Sequence, residues 1–331
     1  MSRNSVQILG EAAALAALEG PWWELWRRSP NATPFQSPAW LLPWWRAFSP
    51  GRLATAALWR KGRLLALLPL YVEPGPDPRM LPIGIGTSDY LDMLIDPESA
   101  PPALSLLLPA LAREVADWRC CRFEELPPDA AAFRLPSAGD FIERLECQSA
   151  CPVLDPARPL PAEVRRSLRR AVRRAEASGR LAILRIGPDE TDGFLARLFV
   201  LHGQRWRQAG EAGVLADSAV RRFHRDAVAL LAQAGLVRLY EYRLNGQVLA
   251  AYYGLIDRGR AYAYIGGYDP EFAALSPGSV LLAHAIDEAR REGATEFHLL
   301  RGREAYKYKW GAVDRWNRCR EIVRGVSDAA G

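Results

Sequence analysis

One segment, residues 260–312, restricts the fold of this chain more than any other. Its first residues, 260–266, alternate small or polar with aromatic side chains and end at a glycine pair, which predicts a β-strand. Ser276 and Pro277 then stand where the N-cap and the first residue of a helix are expected, and apolar residues follow at helical spacing. Residues 295–300 predict a second strand. The segment is therefore expected to fold as strand, loop, capped helix and strand.

The start of this predicted helix is a candidate anion site. The three amides that follow Pro277 are expected to have no partner within the helix, and the helix dipole favours negative charge beside them. An ordinary capped helix packed on a sheet is the simpler interpretation. The predicted cofactor-binding residues are Gly266, Gly267, Ser276, Gly278, Ser279 and Val280.

Several motifs resemble the CelD/BcsL-like, FemAB-related branch of the GNAT acyltransferase superfamily. They are residues 35–40, 86–92, 165–174, 275–282 and 300–311, so the resemblance covers nearly the whole chain. It implies an α+β fold with two tandem GNAT-like domains, each a mixed, mainly antiparallel sheet flanked by helices. One departure is that the usual GNAT pyrophosphate loop is richer in glycine than the Leu-Ser-Pro-Gly that precedes Ser279.

The order of predicted elements recurs in the two halves of the chain. Four prolines within ten residues, from Pro152 to Pro161, mark a boundary. We therefore predict an N-terminal GNAT-like domain over residues 1–151 and a C-terminal one over residues 152–331 that carries the acyl-CoA site. A single doubly wound α/β domain is the alternative, but the predicted antiparallel meander over residues 236–268 argues against it.

Composition limits the class of protein. The net charge of +5 is compatible with an anionic cofactor but too small to indicate a nucleic-acid binder. The five cysteines lack the spacing of a zinc site or a disulfide framework, so we expect a reduced cytoplasm and no metal. No apolar run is long enough for a membrane span. Oligomeric state stays open.

A separate basic segment precedes the proposed site in the chain. An apolar stripe with arginines on the other side predicts an amphipathic helix with a cationic face. Such a face could be merely solvated, could bind phosphates of an acyl acceptor or of RNA, or could contact a membrane surface. The arginines are Arg165, Arg166, Arg169, Arg170, Arg173 and Arg174.

The resemblance implies that a thioester lies where the strands at residues 260–267 and 295–300 separate. Transfer then requires a base for the nucleophile and an acid for the departing thiolate. The predicted catalytic residues are Tyr306 or Tyr308 as general acid, Asp89 to bind the acceptor or serve as base, and His298 as a titratable group on the strand beside the thioester. The predicted substrate-binding residues are Tyr90, Arg301, Glu304 and Lys307.

The function implied is transfer of an acetyl or other acyl group from acyl-CoA to an amine or hydroxyl of a sugar. The acceptor would be a polysaccharide or cell-envelope precursor, as in exopolysaccharide or cellulose biosynthesis. An aminoacyl-tRNA-dependent transferase like the FemABX ligases is one alternative. A catalytically inactive GNAT-fold scaffold or carbohydrate-binding protein is the other.

Overall fold

The computed structural model describes residues 4–99, 101–115, 117–137, 141–208 and 210–324. The chain forms two compact units. The first contains the residues up to Ser149 and the C-terminal segment from Trp316, and the second runs from Ala150 to Arg315. The sequence predicts a second domain that reaches residue 331. In the structure the C-terminal strand instead pairs with a strand of the first unit, which is why the second unit ends earlier.

Among the described residues, the first unit contains five helices, eight complete strands and the larger parts of two more. The helices are α1 Ala12–Ala17, α2 Glu19–Arg28, α3 Pro38–Phe48, α4 Pro101–Leu104 and α5 Leu107–Glu114. The strands are β1 Ser5–Leu9, β2 Arg52–Leu53, β3 Thr55–Arg60, β4 Arg63–Leu68, β5 Leu70–Glu73, β6 Arg79–Pro82, β7 Leu94–Ile95, β8 Cys120–Leu126 and β9 Phe141–Leu154. The end of β9 belongs to the second unit.

Two sets of strands build the first unit. One is an antiparallel sheet in the order β1-β3-β4-β7. In the other, β6 pairs antiparallel with β5 and parallel with β8. The sequence predicts a strand over residues 90–95, but only Leu94 and Ile95 form one. Asp92 instead accepts hydrogen bonds from the amides of Ala131 and Ala132, at 2.6 and 2.8 Å, so this loop is shaped by side-chain contacts.

The second unit is built from the remaining elements. Its helices are α6 Ala162–Ser178, α7 Thr191–Gln208, α8 Ser218–Gln233, α9 Pro277–Arg291 and α10 Ala305–Lys309. Its strands are β10 Leu181–Arg185, β11 Val237–Leu244, β12 Gln247–Asp257, β13 Arg260–Tyr268 and β14 Glu296–His298, followed by β15 Val313–Arg324, most of which belongs to the first unit.

An antiparallel meander forms the centre of the second unit. Strands β10 to β13 pair in chain order, and the Asn245-Gly246 turn between β11 and β12 has both residues at positive φ, as a type I′ hairpin requires. Helices α6 and α9 share a core with Tyr240 and Tyr242. Glu241 lies between those tyrosines and pairs with Arg197 of α7 at 2.6 Å, so α7 covers the opposite face. The predicted α+β fold, with mainly antiparallel sheets flanked by helices, is confirmed.

Candidate functional site

The chain opens a gap beside β13. Strands β13 and β14 are parallel neighbours over only three residue pairs, from Arg260↔Glu296 to Tyr262↔His298. Beyond that point the amides of Leu299 and Gly302 donate to the carbonyls of Pro152 and Ala150, at 2.8 and 3.0 Å. The chain after β14 therefore follows β9, while β13 continues along β12. The separation expected between these two strands is present, and it leaves one backbone edge of residues 263–268 turned toward the gap.

Two glycines near the end of β13, Gly266 and Gly267, have different surroundings. A Cβ on Gly267 would lie 2.5 Å from the backbone nitrogen of His202, so this glycine is needed for the close approach of α7. A Cβ on Gly266 would meet only the Ala251 carbonyl oxygen, at 3.7 Å. Of the two predicted cofactor contacts, Gly266 is exposed at the gap and Gly267 is buried by packing.

The start of α9 differs from the prediction. Val280 is the fourth helical residue, and its amide makes the first regular helical bond, to the Ser276 carbonyl at 3.1 Å. The Ser279 amide donates to the same oxygen, also at 3.1 Å. The prediction of three unpartnered amides is therefore wrong for Ser279 and Val280. Gly278 remains a candidate amide donor. Ser276 is the N-cap residue with a left-handed backbone at φ 51°, but its side chain makes no capping hydrogen bond.

A cation that the sequence analysis missed lies near this helix start. The guanidinium of Arg205, on α7, lies over the ring of Tyr268 at 5.8 Å. A Cβ on Gly278 would be 3.4 Å from the same ring, so Tyr268 lies between the arginine and the first turn of α9. Arg205 belongs to no recognisable motif, and only the packing of α7 on β13 brings it here. An anion at the start of α9 would therefore have a positive charge nearby.

The turn after β14 is held by a buried lysine. Lys307 is only 3% exposed, and its ammonium donates to the carbonyls of Leu300, Arg301 and Gly302, at 3.1, 2.5 and 3.3 Å. Glu304 completes the set at 3.0 Å. The ammonium donates its protons inside the protein, so the prediction that Lys307 faces an anionic substrate is wrong. It stabilises a turn in which Leu300 has a left-handed backbone, at φ 59°.

The two candidate tyrosines have different environments. The hydroxyl of Tyr308 donates to Asp314 at 2.8 Å, which ties α10 to β15. Tyr306 is 45% exposed, and its pKa is raised by burial of its hydroxyl and by the nearby Glu304. A raised pKa keeps this phenol protonated at neutral pH, which is the state that a general acid needs. The positive charge of Arg205 lowers the pKa of the same hydroxyl, so this arginine is near Tyr306 as well.

His298 lies where β13 and β14 separate. The imidazole is 3% exposed, donates from Nε2 to Glu296 at 3.0 Å, and lies 4.7 Å from the ring of Tyr262. Burial lowers the pKa of His298 more than Glu296 raises it. The hydrogen bond from His298, and then the paired bonds from Arg315 at 2.6 and 2.9 Å, hold the pKa of Glu296 well below its usual range. At neutral pH the site therefore contains a neutral imidazole held by an ionised carboxylate.

Asp89 and Tyr90 belong to the first unit. Tyr90 is 2% exposed, packs on Phe35 at 6.3 Å between ring centroids, and accepts a hydrogen bond from Gln36 at its carbonyl, at 2.8 Å. The Asp89 carbonyl accepts from Asn317 at 3.0 Å. Both residues lie in a loop, and the contacts of Tyr90 are those of a core residue. Arg301, the remaining predicted substrate contact, lies half-buried in the turn after β14.

Comparison with known families identifies part of the chain. Residues 162–308, somewhat less than half of the sequence, match the family model described as Acetyltransferase (GNAT) domain. The matched residues all lie in the second unit. The match does not distinguish the CelD/BcsL-like branch from others. A search of curated proteins finds no match.

Solved structures share the fold over nearly the whole chain. The crystal structure of FemX aligns with a TM-score of 0.66 at 13% identity and covers 96% of each chain. The C-terminal domain of a putative lysylphosphatidylglycerol synthetase from Agrobacterium fabrum aligns with a TM-score of 0.60 at 13% identity, covering 96% of this chain and 94% of that one. L-PGS from Bacillus licheniformis gives 0.60 at 12% identity, with 91% and 90% covered. At such identities the likeness concerns the fold alone.

In the described part of the chain, no three His, Cys, Asp or Glu side chains are grouped closely enough to hold a metal ion. Among the helices that the structure describes, none combines the length and apolar character needed to cross a bilayer.

Proposed function

We propose that the second unit transfers an acyl group from acyl-CoA to an amine or hydroxyl of a sugar or cell-envelope precursor. The observation that carries this proposal is the gap between β13 and β14, which leaves the backbone edge of residues 263–268 without β14 as a neighbour. A strand edge offers amide and carbonyl groups to an extended ligand with amides of its own, such as a pantetheine arm.

The anionic end of the cofactor would lie at the start of α9. The Gly278 amide, the hydroxyls of Ser276 and Ser279 and the positive end of the helix dipole favour a phosphate there. Arg205 adds a positive charge across the ring of Tyr268. Gly266, with no side chain, would let the ligand approach the backbone of β13 closely.

The reaction requires two proton transfers at the thioester. The acceptor nitrogen or oxygen attacks the thioester carbonyl and forms the new bond as the carbon–sulfur bond breaks. Tyr306, protonated at neutral pH, would supply a proton to the coenzyme A thiolate. The neutral imidazole of His298, oriented by Glu296, is the group in this unit suited to receive the acceptor proton. Arg301 would contact the acceptor at the mouth of the gap.

Gly278→Glu tests this assignment. The new Cβ would meet Tyr268 at an ordinary 3.4 Å, and an acid in the first helical turn is favoured by the dipole, so the fold should persist. The carboxylate would occupy the anion position, and we expect calorimetric binding of acetyl-CoA to be lost. Gly20→Glu is the matched control, because Gly20 is also the second residue of its helix and has open space beside it. Unchanged affinity in Gly278→Glu would remove the cofactor from this helix.

One observation favours the aminoacyl-tRNA-dependent alternative. The amides of Ser279 and Val280 are occupied by the Ser276 carbonyl, so the receptor for a pyrophosphate is smaller than the sequence indicates. An aminoacyl-tRNA donor would not need it. A thermal melt with millimolar acetyl-CoA separates the two, because binding to the native state alone raises the melting temperature. A shift of several degrees supports acyl-CoA, and no shift supports the tRNA-dependent enzyme or an inactive scaffold.

A further inference from the structure

Helix α6 presents a dense patch of unpaired positive charge, here called the arginine face. All six of its arginines are exposed, and within the described residues none of them forms a salt bridge or a side-chain hydrogen bond. Arginines elsewhere in the second unit are commonly paired, as Arg238 is with Glu292 at 2.5 Å. The arginine face consists of Arg165, Arg166, Arg169, Arg170, Arg173 and Arg174.

The other side of α6 is used for packing. Ala171 and Ala175 are buried in the core that α6 shares with α9, and Val164, Leu168 and Val172 pack against it. At 100° per residue the arginines occupy the half of the helix that is opposite these apolar residues. The fold therefore fixes the orientation of α6, and the arginine face is directed outward.

The net positive charge of the chain is concentrated on α6. The whole chain has a net charge of +5, and residues 165–174 contribute six positive charges and no negative one, so the remainder is close to neutral. Like charges four residues apart destabilise a helix. The arrangement therefore opposes the stability of α6 unless a polyanion meets it.

We propose that the arginine face docks the protein on a bilayer of anionic phospholipids, independently of the acyl transfer proposed above. Four to eight basic residues on an amphipathic helix are the usual number for such attachment. Guanidinium groups bind phosphate oxygens in pairs, and lipids diffuse laterally to meet each of them. The exposed side of α6 carries no large apolar residue, so the helix lies on the headgroups without inserting.

Nucleic acid fits this surface less well. Proteins that bind single strands stack bases on aromatic side chains, and those that read sequence use side chains that reach base edges. Apart from its arginines, the exposed side of α6 contains only alanine, serine and glutamate. The rest of the chain is nearly neutral, so it adds no net positive charge for a long polyanion.

The test is flotation of the full chain with two kinds of vesicle at low salt. We expect binding to phosphatidylcholine vesicles that contain phosphatidylglycerol, no binding to pure phosphatidylcholine, and release in high salt. Replacing Arg166, Arg169, Arg170 and Arg173 by glutamine should lower the partition coefficient by about a hundredfold or more. Circular dichroism would verify that the variant is folded.

A second variant controls for net charge. It replaces Arg52, Arg113, Arg119 and Arg291 by glutamine, removing the same charge from exposed arginines that have acidic partners. It should bind as the wild type does. An equal loss in both variants, no loss in the first, or no binding of the wild type to the anionic vesicles would overturn the proposal. So would tighter binding of duplex or transfer RNA than of the vesicles, measured by fluorescence anisotropy.

Discussion

Both units place a helical crossover between two parallel strands, but they differ in what lies beyond the parallel pair. In the first unit β6 and β8 pair in parallel at Arg79↔Cys120 and Met80↔Cys121. The space beyond is filled by the chain itself, since the amide of Leu91 donates to the carbonyl of Glu125 at 3.1 Å. In the second unit the chain after β14 turns away to β9. In the first unit the chain fills the space beyond the parallel pair, whereas in the second unit residues 263–268 of β13 no longer have β14 as a neighbour.

In the first unit, side-chain hydrogen bonds also hold the loop that fills the space beyond β6 and β8. Asn317 donates from Nδ2 both to the carbonyl of Asp89 and to the carboxylate of Glu125, at 3.0 and 2.9 Å. Ser149 donates to the other oxygen of Glu125 at 2.7 Å. Asp89 and Tyr90 thus belong to the loop that fills this space. The comparison supports a cofactor site in the second unit.

The units also differ in histidine content. All four histidines, His202, His224, His284 and His298, lie in the second unit. Burial lowers the pKa of each, to about 4 for His202 and about 3 for His224. Their protonation opposes folding, so the second unit should be the more sensitive to acid.

Acidification should cause the largest loss of stability. His202 and His224 titrate near pH 6.5 when unfolded, so the unfolded state binds more protons below that pH and stability falls as pH falls, until the folded pKa values are reached. The two together should remove about 5 kcal/mol between about pH 6.5 and pH 4.5. Hydrogen exchange resolved by peptide should show the second unit opening first. His224→Phe should reduce the pH dependence by half, and earlier opening of the first unit would contradict the account.

Lys307→Met should cause the next largest loss of stability. It leaves three carbonyls of the turn after β14 without their donor, which should cost about 3 kcal/mol of unfolding free energy. Because this turn keeps the chain beside β9, acetyl-CoA binding should weaken as well. Denaturant melts measure the first effect and calorimetry the second. Lys309→Met, at an exposed position of the same helix, should change neither.

Tyr306→Phe should lower kcat by about a hundredfold or more, since it removes the proposed proton donor. Tyr308→Phe removes only the hydrogen bond to Asp314, so it should cost about 1 kcal/mol of stability and leave kcat near the wild-type value. Steady-state kinetics with acetyl-CoA and an amine acceptor would compare them. If the Tyr308 variant is the slower one, the two roles are reversed.

Arg301→Ala should cause the smallest change, a modest loss of catalytic efficiency. A residue at the mouth of the gap should contribute about tenfold in kcat/KM, or about 1.4 kcal/mol, with little change in melting temperature. Arg303→Ala is the control, because Arg303 lies two residues away with its side chain 68% exposed. Equal kinetics for both variants and the wild type would exclude Arg301 from the site.

Much of the fold could be predicted because local pattern governs it. Alternation and the Asn245-Gly246 turn predict the meander, and apolar spacing predicts α6 and α9, which the structure confirms. The structure of a segment is harder to predict where side-chain hydrogen bonds hold it in place and it does not pair with a neighbouring strand. The loop at residues 84–93 takes its shape from contacts with residues far along the chain, and no local periodicity encodes them.

By itself the sequence determined the strand, helix and strand around the site, the arginine face of α6 and the resemblance to GNAT enzymes, because each depends on residues close together in the chain. Only the tertiary structure decided that Lys307 is buried, that Arg205 approaches α9, and that the chain after β14 leaves β13. The bonds that make this separation join Leu299 to Pro152 and Gly302 to Ala150. Such pairs form only when distant segments pack together, since loop closure and burial, and not local propensity, decide which backbone groups meet.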